Sequence, residues 1–268
     1  MSLKRYGKNV LIAGGSEGIG SAYAHAFAKA GMNLFLLGRR IEQLIAIQKE
    51  LKSNYNVEVK IIQADLGDSH SLQLVLSEIG EIEIDVLVYN AALSYIGKFE
   101  TADAELHQRI ADVNMNSSLK FIHHFGSKMV ERKRGAVIIM SSLSAKQGSA
   151  YIATYAATKA FNLILAEGLW YEWGKYNVDV IACIAGATAT PNFINSKPGK
   201  LGFFEPQVQP PEAVVAECLN KLGKKPSLIT GSGNRLAAFF MNNIFTRKLA
   251  VTIMGNSTKK LYKHLGFE

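Results

Sequence analysis

The stretch ATYAATKAF, Ala153 to Phe161, sets a tyrosine four residues before a lysine, with alanines filling most of the space between. Positions i and i+4 share one helix face, so Tyr155 and Lys159 would stand one turn apart on a surface of small residues. Such a pair can move protons. A phenol ordinarily titrates near ~10 and is a poor base at neutral pH, and a cation a few ångströms away favours the phenolate by roughly 1–3 pKa units. On the pair alone packing is the simpler reading, because alanines let a second helix approach closely.

Two further clusters bear on the choice. The apolar run NVLIA (Asn9 to Ala13) leads directly into GGSEGIG, with the spacing Gly14-x-x-x-Gly18-x-Gly20. Glycines at a strand-to-helix turn permit a tight bend and bring backbone close to a pyrophosphate, and the following helix offers free N–H groups to that anion. The second apolar run ends in LLGRR. Where a carboxylate would accept from the ribose 2′-hydroxyl of NAD, the chain has Arg39 and Arg40. A guanidinium suits a 2′-phosphate through two charge-assisted hydrogen bonds, so the pattern favours NADP over NAD. Arg39 is the first choice for the phosphate, and Arg40 the alternative or a stacking partner for the adenine.

These residues need a frame. Short β-rich runs alternate with longer helical patterns along 268 residues, which predicts a Rossmann-type α/β fold: a doubly wound parallel sheet of about seven strands with helices on both faces. Helices are expected over Gly18–Gly31, Ile41–Lys52, near Ser69–Ile79, over one long region from Ala102 to Val130, and from Thr154 to Trp173. The Gly-, Pro- and Lys-rich stretch from Thr188 to Pro211 reads as a long loop. With 48% hydrophobic and 19% charged residues the chain can bury a large core. Its two cysteines, Cys183 and Cys218, and its six histidines lack metal-ligand spacing, and no metal is expected. The start has no apolar core of signal-peptide length and no run reaches membrane-spanning length, so a cytoplasmic protein is expected. A net charge of +8 favours anionic partners. The basic residues are scattered without a nucleic-acid motif, and nucleic acid is not expected.

Taken in order, these motifs resemble the short-chain dehydrogenase/reductase family, in its single-domain form, over nearly everything up to residue 231. The resemblance implies a glycine turn holding the dinucleotide through Gly14, Ser16, Glu17, Gly18, Ile19 and Gly20. It implies further contacts from Arg39, Arg40, Asp65, Leu66, Asn90, Ala91, Ala92, Tyr155, Lys159, Gly186 and Thr188. It assigns catalysis to Asn114, Ser142, Tyr155 and Lys159: proton transfer by Tyr155, a hydrogen bond to the substrate oxygen from Ser142, tuning and ribose binding by Lys159, and a water held through Asn114. Ser142 is preferred to Ser141 because it stands thirteen residues before Tyr155. Ala13, Ala92 and Ala185 depart from the family's usual threonine, glycine and proline, all within the cofactor cradle. Homodimers or homotetramers through the Tyr155 helix and the one before it are also implied.

The expected organisation is a catalytic domain over residues 1–231, with a substrate loop at about 187–211, followed by a basic and apolar extension over 232–268. In the loop, Phe193, Phe203 and Phe204 suggest an apolar lid or plain packing, and Lys197 and Lys200 could meet an anionic group. The extension holds RLAAFFMNNIFTRKL and TKKLYKHL. Packing on its own domain or a partner is expected ahead of lying on an anionic membrane. The functional expectation is NADPH-dependent reduction of a lipophilic or 3-oxoacyl-type ketone, reversible as alcohol oxidation. The alternatives are a sugar or polyol dehydrogenase, or a dinucleotide-sensing protein without catalysis.

Overall fold

The computed structural model describes residues 3–199 and 208–267. Seven strands form one parallel sheet: β1 (Asn9–Ala13), β2 (Asn33–Gly38), β3 (Val59–Gln63), β4 (Val86–Tyr89), β5 (Gly135–Ser142), β6 (Val178–Ala185) and β7 (Ser227–Ile229), in the order β3-β2-β1-β4-β5-β6-β7. The expected Rossmann-type sheet is therefore present. Between the strands run α1 (Gly18–Lys29), α2 (Ile41–Asn54), α3 (Ser71–Ile79), α4 (Ala104–Ala111), α5 (Ser117–Glu131), α6 (Ala153–Gly174), α7 (Pro191–Asn195) and α8 (Pro211–Lys221). After β7 come α9 (Ser232–Phe239) and α10 (Arg247–Leu261).

Strand alternation sorts the interior into two cores, because successive side chains point to opposite sides of a sheet. Val10, Ile12, Leu34 and Leu36 face Tyr23 and Phe27 of α1, Leu44 of α2 and Val214 of α8. Leu11, Ala13, Phe35 and Leu37 face Val75 of α3, Phe121 and Phe125 of α5, and Leu163 and Ala166 of α6. Burial on both faces explains why the strands read as continuous apolar runs rather than alternating ones. Cys183 and Cys218 are free and buried in the first core.

One expectation is refined and one corrected. The helical region expected over 102–130 runs without a break from Ala104 to Glu131, but α4 passes through a π-helical turn at Asp112–Asn116 before α5. A wider turn keeps the helical repeat of apolar residues almost intact, so the pattern alone hides it. The stretch read as a loop after Thr188 contains α7. Thr190 caps it by accepting from the Phe193 N–H at 3.2 Å, and Pro191 occupies its first turn, a start signal that was legible in the sequence. Lys200, Phe203 and Phe204 lie outside the described residues.

Candidate active site

The sheet order reverses between β1 and β4, and ligands of open α/β sheets bind beyond the strand ends at such a point. A cleft of about 410 Å³ opens there. Its floor is the glycine turn after β1. Gly14 has φ +77°, and a Cβ on it would stand 2.9 Å from the Ala91 backbone. A Cβ on Gly20 would run into the Gly14 carbonyl oxygen. Both glycines are thus required by close backbone approach, leaving a side-chain-free cradle at the N-terminus of α1 that a diphosphate would fit.

The missing threonine at position 13 is compensated through backbone. The Ala13 carbonyl accepts from the N–H groups of Asn90 and Ala91 at 3.0 and 2.8 Å. Asn90 Nδ2 donates to the Gly14 carbonyl at 2.8 Å. The β1 turn and the loop after β4 are therefore joined without a hydroxyl.

Most of the cofactor set expected from the sequence lines this cleft: Gly14, Ser16, Glu17, Gly18 and Ile19; Arg39 and Arg40; Asp65 and Leu66; and Asn90, Ala91 and Ala92. Gly20 lies behind the turn, packed on Gly14. Gly186 and Thr188 stand outside the cleft lining, with Gly186 against Asn234 of α9 and the Thr188 hydroxyl donating to the Gly186 carbonyl at 3.0 Å. Sequence reasoning missed Thr190, Asn192 and Asn195, which close the cleft's far wall. Their signal was the capped helix start just after Thr188.

The charges around the cleft are divided unequally. Arg40 is engaged by Glu17, Nη2 to Oε1 at 2.6 Å, across the glycine turn. Arg39 is exposed, makes no ion pair among the described residues, and has its carbonyl held by Gln63 Nε2 at 3.0 Å. Of the two guanidinia, Arg39 is the one available to an incoming anion. Asp65, expected among the cofactor contacts, pairs through one oxygen with Arg109 and through the other accepts from the Gly67 N–H at 2.9 Å. Burial alone would raise its pKa, but the Gly67 N–H, Arg109 and the nearby Arg39 together hold the carboxyl below its ordinary value.

Beyond the cleft, β5 and α6 bring Ser142, Tyr155 and Lys159 together. Ser142 stands near enough to the Tyr155 phenol to favour its ionised form. Ser142 Oγ also accepts from the Ser144 hydroxyl at 3.0 Å and, as a short cap, from the Ser144 N–H at 3.3 Å. Lys159 is 2% exposed and its Nζ donates to the Met140 carbonyl at 3.0 Å. Burial pushes its pKa down to about 8. Its Nζ stands 5.6 Å from the centre of the Tyr155 ring. The expectation that this lysine lowers the Tyr155 pKa is corrected: burial raises the phenol above its ordinary value, and the opposing influence of the nearby Ser142 does not offset it.

Asn114 sits inside the π turn and is fully buried. Its Oδ1 accepts from the Leu93 N–H at 2.7 Å, and its Nδ2 donates to the Leu93 carbonyl at 2.8 Å and the Thr158 hydroxyl at 3.0 Å. It ties the helix of Tyr155 to the loop of Asn90.

The extension after β7 completes this end. Tyr262, 7% exposed, reaches the surroundings of Tyr155 and raises its pKa further, and its hydroxyl lies 3.3 Å from that of Ser196. Phe267 stacks on Tyr151, ring centres 4.2 Å apart. Tyr151 has φ +65° and supplies the platform for that ring. The Gly199 N–H donates to the Leu261 carbonyl at 2.7 Å, and Arg247 donates to the Lys146 carbonyl at 2.9 Å. Among the described residues no cluster could hold a metal ion.

A parallel α/β sheet with a glycine-lined cleft at its switch point defines the class of dinucleotide-binding folds. The chain belongs to the short-chain dehydrogenase family, whose model matches residues 8–200. It is 33% identical over 234 residues to a 7beta-hydroxysteroid dehydrogenase of Mediterraneibacter gnavus, covering 87% of this chain and 89% of that one. A solved 7beta-hydroxysteroid dehydrogenase superposes with TM-score 0.89 at 31% identity over 95% of this chain and 99% of that one. A short-chain dehydrogenase from Sphingobium yanoikuyae in complex with NADPH superposes with TM-score 0.74 at 28% identity, over 83% and 87% of the two chains.

Proposed function

We propose that the protein is an NADPH-dependent oxidoreductase that reduces a ketone on a bulky apolar molecule, steroid-like or 3-oxoacyl in type, and oxidises the corresponding alcohol. The observation that carries this reading is the gathering of Ser142, Tyr155 and Lys159, with the lysine Nζ 5.6 Å from the centre of the Tyr155 ring and the Tyr262 and Phe267 rings close by. NADPH, when bound, supplies the hydride.

The chain's own residues do the rest. Ser142 donates a hydrogen bond to the carbonyl oxygen and steadies the charge that develops on it. Tyr155 gives up its proton to that oxygen, and its raised pKa keeps the phenol protonated at neutral pH, as reduction requires. Lys159 approaches from the other side. With a pKa near 8 it is mostly protonated at pH 7, so it favours the phenolate left after transfer. Asn114 holds the π turn against α6 and the Leu93 loop, fixing the distance between the cleft and the tyrosine. Residues holding the dinucleotide are Gly14, Gly18 and the N-terminus of α1 for the diphosphate and Arg39 for the 2′-phosphate.

The Tyr262 and Phe267 rings near Tyr155 and Tyr151 support a ring-shaped or long apolar substrate over a sugar or polyol. The apolar, exposed Leu119 of α5 and Ile164 and Tyr171 of α6 support assembly into a homo-oligomer through these helices. The test is a panel of steroid ketones, 3-oxoacyl thioesters and keto-sugars, scored by the loss of reduced-nicotinamide absorbance. Turnover of an apolar ketone with NADPH is expected. Turnover confined to keto-sugars would overturn the substrate class.

A further inference from the structure

The positive charge of this protein has an address. Between Cys218 and Phe267 the sequence holds nine lysines and arginines and no aspartate or glutamate, so these fifty residues carry the whole of the chain's +8 and the remainder is close to neutral. Three of the nine are engaged, Lys224 with the Asn220 carbonyl, Arg235 with Glu217 and Arg247 with the Lys146 carbonyl.

The same segment leaves large apolar side chains in water. On α9 and the π turn that follows, Leu236, Phe239, Phe240 and Ile244 are 61%, 53%, 42% and 59% exposed. Their spacing of three or four residues places them on one helical face. On α10, after the exposed Arg247 at its start, the exposed positions are Lys248, Leu249, Thr252, Ile253, Asn256, Lys259 and Lys260, which repeat at helical spacing, and exposed Lys263 follows. The opposite side of α10 is turned inward at Ala250 and Thr258. The extension thus has an inner face spent on its own domain and an outer face that is apolar and uniformly basic.

We infer that this outer face docks on an anionic phospholipid surface, with Leu236, Phe239, Phe240 and Ile244 entering the boundary between headgroups and acyl chains and Lys248, Lys259, Lys260 and Lys263 meeting lipid phosphates. Charge complementarity selects this occupant. A second copy of the same face would set like charges against each other, and a nucleic acid would use the lysines yet leave the phenylalanines in water. A bilayer satisfies both, as basic amphipathic helices lying in an interface do. Among the described residues no helix is long and apolar enough to cross a membrane, which fits a peripheral mode. The inner face of the extension meets Tyr155 and Tyr151, so docking would bring the substrate end of the molecule to the lipid surface.

The test is sedimentation of the full-length protein with phosphatidylcholine vesicles containing about one-third phosphatidylglycerol, at low and at high salt. Binding to these vesicles, absence of binding to pure phosphatidylcholine, and release at high salt are expected. Lys259→Glu/Lys260→Glu should weaken binding about tenfold or more, since each basic residue near an anionic surface contributes on the order of a factor of five. Phe239→Ser/Phe240→Ser should weaken it as much while leaving the melting temperature and the gel-filtration mass unchanged. Absence of low-salt binding by the wild type would overturn the proposal. So would a drop in gel-filtration mass on Phe239→Ser/Phe240→Ser, which would make the face an interface between copies. Equal retention on heparin by the wild type and that serine variant, without vesicle binding, would reduce the face to a polyanion site.

Discussion

The two ends of the site are built differently. The proposed dinucleotide end is made of backbone: glycines whose missing Cβ atoms leave a cradle, a turn joined to the next loop by main-chain bonds, and at its rim Arg39, which forms no ion pair among the described residues. Its parts come from the ends of adjacent strands and stay open to solvent. The proposed substrate end is made of side chains gathered from β5, α6, the α7 segment and the extension, with the Tyr262 and Phe267 rings beside it. An open, rigid end suits a ligand of one fixed shape. An end built from distant segments can change its substrate by changing a few residues, while the fold and the chemistry stay as they are.

The sharpest way to separate the two ends is Tyr155→Phe. It removes one hydroxyl at the substrate end and nothing at the open one. Turnover of the best panel substrate should fall by about 10²–10⁴, while NADPH affinity measured by fluorescence stays within about threefold. Retention of most of the activity would show that another group supplies the proton.

The converse substitution is Arg39→Asp. Charge-assisted hydrogen bonds contribute roughly 1.5–3 kcal/mol, or about 10- to 150-fold in affinity. Wild type should therefore prefer NADPH to NADH by at least about tenfold in kcat/KM, and the variant should reverse the order. Kinetics with both cofactors decide it. A larger loss on Arg40→Ala than on Arg39→Ala would move the phosphate contact to the arginine that Glu17 already holds.

A smaller effect, on stability rather than rate, sharpens the contrast. Lys159 titrates near 8 when folded, against 10.5 ordinarily. At neutral pH it is charged in both states and its burial opposes folding, at a cost on the order of 3 kcal/mol. Lys159→Met should therefore abolish turnover yet raise the melting temperature of the cofactor-free protein by several degrees, the lost bond to Met140 offsetting part of the gain. The sign follows from linkage. The unfolded chain keeps this proton to higher pH than the folded one, so the wild type recovers stability between about pH 8 and 10.5, and the advantage of the variant shrinks across that window. Scanning calorimetry at pH 7 and near pH 10 measures it. A lower melting temperature for the variant at pH 7 would mean that the cation is favourably held where it stands.

The open end was readable because its signals are local. Gly14, Gly18 and Gly20 follow a strand and open a helix within a dozen residues, and Arg39 and Arg40 follow the next strand. Tyr155 and Lys159 were readable for the same reason, sharing one helical turn. What escaped depends on partners far along the chain. Nothing near Asp65 announces Arg109, nothing near Glu17 announces Arg40, and the drop in the Tyr155 pKa expected from Lys159 alone ignored the partial burial of that ring. The π turn at Asn114 escaped because a single widened turn barely disturbs the apolar repeat. Tyr262 and Phe267 escaped because an amphipathic extension shows that one face must be covered, not which residues it will cover.

The strand order also has a consequence in time. β1 lies between β2 and β4, and the registers pair Val10 with Leu34 on one side and with Val86 on the other. As the chain leaves the ribosome, β1, β2 and β3 can associate while β4 is still unmade. For that interval β1, whose four residues Val10 to Ala13 end fully buried, presents a bare hydrogen-bonding edge. Such an edge is a template for the wrong neighbour. The strand that carries the glycine turn is thus the nascent chain's most vulnerable segment, and a pause in synthesis before residue 86 would prolong the exposure.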